Sequence, residues 1–121
     1  MTQKILIIDD EQDIVETLQF TLETDGYECH TAFDGEEGLR LAKELHPDLI
    51  ILDVMMPKMN GFKICRLLKY DNSYKDIPIF MLTARSQIED ISIGQETGAN
   101  EYMTKPFELE YVLDKVKEYL G

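Results

Sequence analysis

The sequence has 121 residues, enough for one compact domain and too few for two with good cores. Hydrophobic residues make up 44% and charged residues 30%, which excludes a disordered chain, and no apolar run approaches the roughly 18 residues that span a bilayer. Twenty-four acids against twelve bases give a formal net charge of −12, so direct nucleic-acid binding by this chain is not expected.

Met1-Thr2-Gln3-Lys4 leads straight into a strand pattern without a signal-peptide hydrophobic region. A cytoplasmic location, away from membranes, is therefore expected. Cys29 and Cys65 match no metal or redox spacing and are read as two buried thiols.

In chain order, Lys4-Ile5-Leu6-Ile7-Ile8 is a continuous apolar run, as in a strand covered on both faces. From Glu11 the period becomes helical, with Ile14, Val15, Leu18 and Leu22 on one face and Asp25-Gly26 as a stop. Tyr27 to Ala32 reads as a more polar strand near the sheet's edge. Asp34 and Glu37 form a capping box for a second helix with Leu39, Ala42 and Leu45 inward, ended by His46-Pro47. Leu49 to Leu52 is a third strand, and Gly61 opens a third helix with Phe62, Cys65, Leu68 and Leu67 turned inward.

Pro78 to Leu82 is a fourth strand. Ser86 and Glu89 cap a fourth helix running to Gly98, in which Ser92, Gly94 and Thr97 are poor helix formers. Ile88, Ile91 and Ile93 cannot all face inward, so an apolar patch with Tyr102 and Tyr111 is expected. A short fifth strand covers Ala99 to Met103, and Leu109, Val112, Val116 and Leu120 mark the last helix. Strict alternation of strands and helices predicts an α/β, doubly wound, five-stranded parallel sheet with five helices on both faces. Its ligand site should lie beyond the carboxyl ends of the strands.

Those ends carry chemistry. Strand one ends in Asp9-Asp10, strand three in Asp53, strand four in Thr83-Ala84, and strand five is followed by Lys105-Pro106. Crowded carboxylates require a cation, and hard oxygen ligands select Mg²⁺ or a similar ion such as Mn²⁺. A carboxylate can also attack phosphorus, so Asp53 is placed as a nucleophile, with Lys105 and the ion neutralising charge and Thr83 able to reach a phosphoryl oxygen. His30 and His46 fall outside this cluster.

The segments "ILIIDDE", "PDLIILDVMMPKMNG", "PIFMLTA" and "GANEYMTKPF", in this order, resemble the response regulator receiver domain of two-component signalling over residues 1–121. The resemblance implies a flavodoxin-like strand order, 2-1-3-4-5. It implies that Asp53 is the phosphoacceptor, taking its phosphoryl group from a phosphohistidine on a sensor histidine kinase or phosphotransfer protein. Asp10, Asp53 and the backbone carbonyl of Met55 are then direct Mg²⁺ ligands, with Asp9 acting through metal-bound water.

Lys105 is implied to pair with Asp53 and then with its phosphate, through a cis peptide bond to Pro106. Thr83 and the backbone of Ala84 are implied to contact the phosphoryl group, Tyr102 to swing inward behind Thr83, and Gly61 to serve the turn after Met59-Asn60. The phosphorylated form is implied to change the surface of the fourth helix, fifth strand and fifth helix. That surface would control an output protein or effector domain, or self-association. Met55 and Arg85, which flank the site, are poor water-orienting groups, so slow self-dephosphorylation is expected.

Two other classes of protein use similar residues. A Mg²⁺-dependent phosphatase with an aspartyl nucleophile generally carries a second acid two residues on, where this chain has Met55. A flavodoxin-like cofactor binder needs a phosphate-cradling loop after strand one, where Asp9-Asp10-Glu11 would repel phosphate without a metal.

Overall fold

Alternate side chains of Lys4–Ile8, which forms β1, enter two different cores. Ile5 and Ile7 pack on one face of the sheet, Leu6 and Ile8 on the other, and all four are fully buried. This is the period-2 geometry of a strand covered on both sides, and it explains why the run is apolar throughout.

The computed structural model describes residues 2–56, 58–84 and 98–121. After β1 come α1 (Gln12–Thr24), β2 (Glu28–Ala32), α2 (Gly35–Leu45), β3 (Leu49–Asp53), α3 (Gly61–Lys69), β4 (Ile79–Ala84), β5 (Glu101–Lys105) and α4 (Leu109–Leu120). The five strands are parallel in the order β2-β1-β3-β4-β5. The doubly wound, flavodoxin-like fold expected from the sequence is therefore present. Four helices are described, and the predicted helix from Ser86 to Gly98, with its capping box and its three isoleucines, lies outside the described residues except for Gly98 itself.

One core is built from Val15, Leu18 and Leu22 of α1 and Val112 and Val116 of α4 against the sheet. The other is built from Ala42 of α2 and Ile64, Cys65 and Leu68 of α3. Both cysteines are free and buried, and burial pushes the Cys29 thiol up to about 12, which keeps it protonated and unreactive. No helix among the described residues is long and apolar enough to cross a membrane.

Local expectations fail in instructive places. Leu67 is 44% exposed, and Ile64 takes the inward position instead. With Cys65 and Leu68 both inward, Ile64 lies one turn from Leu68, whereas Leu67 falls towards the solvent edge of the stripe. Asp34 does cap α2, accepting from the backbone N–H of Glu37 at 2.9 Å, but the Glu37 carboxylate turns to Arg40 at 2.8 Å. The reciprocal half of the capping box is replaced by an ion pair.

The fifth strand is Glu101–Lys105 rather than Ala99–Met103, because pairing with β4 continues through Thr83 with Thr104 and Ala84 with Lys105. Lys105 is thus the last residue of a strand, held by the ladder, and not part of a loop.

The inner face of α2 carries Gly35, Gly38 and Ala42, all buried. A Cβ on Gly38 would lie 2.7 Å from Ile8 side-chain atoms, and one on Gly35 would lie 2.2 Å from the carbonyl oxygen of Met59. Small residues at this spacing let α2 approach β1 and the segment after β3 closely.

Candidate functional site

At the carboxyl edge of the sheet, β1 and β3 are adjacent and in register, Ile8 opposite Leu52. The residues that follow, Asp9 and Asp53, are both buried, whereas Asp10 is exposed. Carboxylate oxygens of Asp9, Asp10 and Asp53 all lie within 4.8 Å of one another. Lys105, delivered by β5, reaches across β4: its Nζ is 2.8 Å from Asp9 Oδ2, 3.1 Å from Asp53 Oδ1 and 3.0 Å from Glu11 Oε1.

The electrostatics follow from burial. Loss of water pushes the Asp53 carboxyl up from its ordinary 3.8 to about 6; the charge of Asp9 adds to the rise and Lys105 opposes it. Burial likewise raises Asp9, against hydrogen bonds from Lys105 and from the Glu11 backbone N–H, the latter at 2.9 Å. For Lys105, burial disfavours the ammonium, but Asp9, Asp53 and Glu11 outweigh it and hold its pKa above the ordinary value. Among the described residues, one cation therefore stands among four acids. The excess of negative charge and the all-oxygen donor set suit a hard divalent cation such as Mg²⁺.

The other predicted residues fall around this cluster. Thr83 is buried near the end of β4, and its Oγ1 donates to the carbonyl of Ala84 at 3.1 Å. The Lys105–Pro106 peptide bond is cis. Tyr102 is half-buried and packs into the core shared by α2 and α3. Met55 is 63% exposed just beyond β3. Pro57 and Arg85 lie outside the described residues.

Gly61 begins α3, and its N–H donates to the Val54 carbonyl at 2.8 Å. A Cβ there would lie 2.2 Å from the Asp53 carbonyl oxygen. Space, more than the turn, requires glycine at this position. His46 is exposed in a left-handed conformation after α2, and His30 pairs with Glu28 on β2, both away from the cluster.

Sequence reasoning did not assign Glu11 to the site. Its carboxylate is the third contact of Lys105, yet nothing in its position distinguishes it from an ordinary acid at a helix start.

This fold and this site define an α/β domain in which a buried aspartate at a strand end, a lysine and an acidic cation pocket meet. A model of the response regulator receiver domain matches residues 5–117, and the chain belongs to this family, the receiver domains of two-component response regulators. It is 48% identical over 120 residues to the alkaline phosphatase synthesis transcriptional regulatory protein PhoP of Bacillus subtilis, covering 99% of this chain and 49% of that one. It is 46% identical over 117 residues to the DNA-binding dual master transcriptional regulator RpaA of Synechocystis, covering 97% of this chain and 48% of that one.

Among solved structures, the chemotaxis response regulator CheY4 of Vibrio cholerae superposes with a TM-score of 0.90 at 36% identity, over 98% of this chain and 99% of the other. The chain spans about half the length of the curated relatives it matches. RpaA is described as DNA-binding, so the expectation that direct nucleic-acid binding is absent gains no support from the relatives. The charge argument concerns only these 121 residues.

Proposed function

We propose that this chain is a phosphorylation-driven cytoplasmic switch in which Asp53 accepts a phosphoryl group from a phosphohistidine of a sensor kinase or phosphotransfer protein. The observation that carries the reading is the contact of Lys105 Nζ with both buried acids, Asp9 and Asp53, beside Asp10. An Asp53 oxygen attacks phosphorus, the phosphorus–nitrogen bond breaks, and the donor imidazole leaves with the electron pair. Asp10, Asp53 and the Met55 carbonyl would hold Mg²⁺, with Asp9 acting through its water shell. When bound, the ion neutralises charge on the phosphoryl oxygens.

The fixed side chains do the remaining work. Lys105 stands where it can exchange one Asp53 oxygen for a phosphoryl oxygen without leaving Asp9. The Thr83 hydroxyl can turn from the Ala84 carbonyl to the phosphoryl group, as can the Ala84 N–H. That movement vacates space for Tyr102 and biases the surface of β5 and α4, which bears Tyr102, Tyr111 and Lys115, towards an output partner or effector domain. An open groove of about 340 Å³ beside Lys105, lined by Ile14, Thr17, Phe107 and Leu109, suits a helix of the phosphoryl donor.

Intact-mass spectrometry after acetyl phosphate and Mg²⁺ tests the reading. The expected result is one phosphoryl adduct, absent with EDTA, mapping by borohydride reduction to the peptide containing Asp53. An adduct at another residue, or none at all, overturns it. Followed over time, the adduct should persist well beyond seconds, because Met55 orients no water.

A further inference from the structure

The turn between β3 and α3 carries the Met55 carbonyl, and it is held from two sides. On the α3 side, Gly61 N–H donates to the Val54 carbonyl at 2.8 Å and Val54 N–H donates to the Leu82 carbonyl at 3.0 Å. The Asn60 side chain caps α3, accepting from Lys63 N–H at 3.0 Å. These bonds fix the two ends of the turn. Its middle, with Met56 and Met59 half-buried against the second core, rests on the start of α2.

Two contacts make that seat. A Cβ on Gly35 would lie 2.2 Å from the Met59 carbonyl oxygen, 2.8 Å from Met59 Cβ and 3.0 Å from the Met59 carbonyl carbon. Gly35 is the first residue of α2, where alanine is otherwise the better helix former, so glycine is there for space. A seat serving only the core would fall on side chains, as that of Gly38 falls on Ile8. At Gly35 it falls on the backbone of the turn itself.

The second contact is Asp34, whose two carboxylate oxygens have separate tasks. Oδ1 caps α2 by accepting from Glu37 N–H at 2.9 Å, and Oδ2 lies 3.5 Å from Lys58 Nζ. Lys58 has φ +71, a left-handed conformation uncommon for a residue with a side chain. Strain of this kind persists where surrounding contacts impose it, and it collects at functional sites.

We propose, on the reading of the site given above, that Asp34 and Gly35 are positioning residues for phosphoryl transfer. They hold the turn that carries the Met55 carbonyl, and so set how tightly the Asp10–Asp53 pocket binds its divalent ion. They act through Lys58 and Met59 rather than on the ion, as the outer partners of metal ligands do in general.

Isothermal titration calorimetry of the unphosphorylated protein with Mg²⁺ reads that affinity without turnover, and urea unfolding in EDTA reads the fold. Gly35→Ala, at a temperature where circular dichroism shows it folded, is expected to bind Mg²⁺ about tenfold more weakly or worse. Lys58→Asn removes the ammonium but keeps a residue that tolerates the left-handed conformation. It should bind Mg²⁺ about threefold more weakly at close to wild-type stability. Charge alone predicts the opposite, tighter binding, since one cation less opposes the ion. Lys58→Asn therefore decides the matter if Gly35→Ala does not fold. Unchanged or tighter Mg²⁺ binding in either folded variant, beside a wild type that binds Mg²⁺ and takes a phosphoryl group from acetyl phosphate, overturns the positioning role alone. A wild type that does neither overturns the reading of the site and the positioning role with it.

Discussion

Asp53→Asn is expected to abolish the phosphoryl adduct and at the same time to make the metal-free protein more stable. The sign follows from the direction of the pKa shift. Asp53 ionises near 6 in the folded protein and near its ordinary 3.8 when unfolded. The folded state therefore binds the extra proton between those values, and stability falls as pH rises through that window. Below about pH 4 both states are protonated and the penalty is absent; above about pH 6 it is fully present.

A shift of this size, in which the opposing pull of Lys105 is already included, corresponds to about 3 kcal/mol or less. That amounts to a rise in melting temperature of several degrees at pH 7 in EDTA. Lys105 keeps Asp9 and Glu11 as partners in the variant, so no unpaired ammonium is left behind. Mg²⁺ should then stabilise the wild type more than the variant, since a ligand of the ion has been neutralised. Thermal melts from pH 4 to pH 8, with and without Mg²⁺, check both parts. A variant that melts below the wild type at pH 7 in EDTA would show that Asp53 is not held at a cost to the fold.

That cost explains how far the sequence could be read. A strand of Leu and Ile ending in an acid conflicts with local preference, and such conflicts mark sites where function overrides packing. Asp9 and Asp53 were legible because each sits where a buried strand ends, and Lys105 because it follows the predicted fifth strand; strand alternation alone brings those ends to one rim. The strand order came from family resemblance, since parallel strands leave no short-range signal of which neighbours which.

What stayed illegible depends on contacts between distant segments. The outward turn of Leu67 is decided by which of Ile64 and Leu67 the second core can accept. The contact of Glu11 with Lys105 joins residues 94 positions apart, and the shift of β5 by two residues is set by β4. The signal that did exist was the run of small residues on α2. Gly35, Gly38 and Ala42 at helical spacing imply a closely approached surface, and that surface proves to be Ile8 and Met59.

Gly61→Ala should damage fold and chemistry together. A methyl group there would lie 2.2 Å from the Asp53 carbonyl oxygen and 3.0 Å from the Asp53 carbonyl carbon and the Val54 Cα. All three are backbone atoms, so no side-chain rotation relieves the overlap. Either the start of α3 moves, breaking the 2.8 Å bond from Gly61 N–H to the Val54 carbonyl, or the end of β3 moves and takes Asp53 with it. Alanine normally favours a helix over glycine by about 1 kcal/mol, but overpacking against rigid backbone reverses the sign, for a net loss of about 3 kcal/mol or more.

A displacement near 1 Å at a reacting group lowers its rate on the order of 10²-fold. Urea unfolding gives the first quantity, and the rate of phosphorylation by acetyl phosphate, at a temperature where the variant is folded, gives the second. Gly26→Ala is the control. Gly26 has φ +98 with nothing within 4 Å of an added Cβ, so alanine there costs about 1 kcal/mol of backbone strain at the far end of the sheet and leaves the rate untouched. If both alanine variants lost the same stability and Gly61→Ala kept the wild-type rate, the close seat of α3 on Asp53 would have no part in positioning the phosphoacceptor.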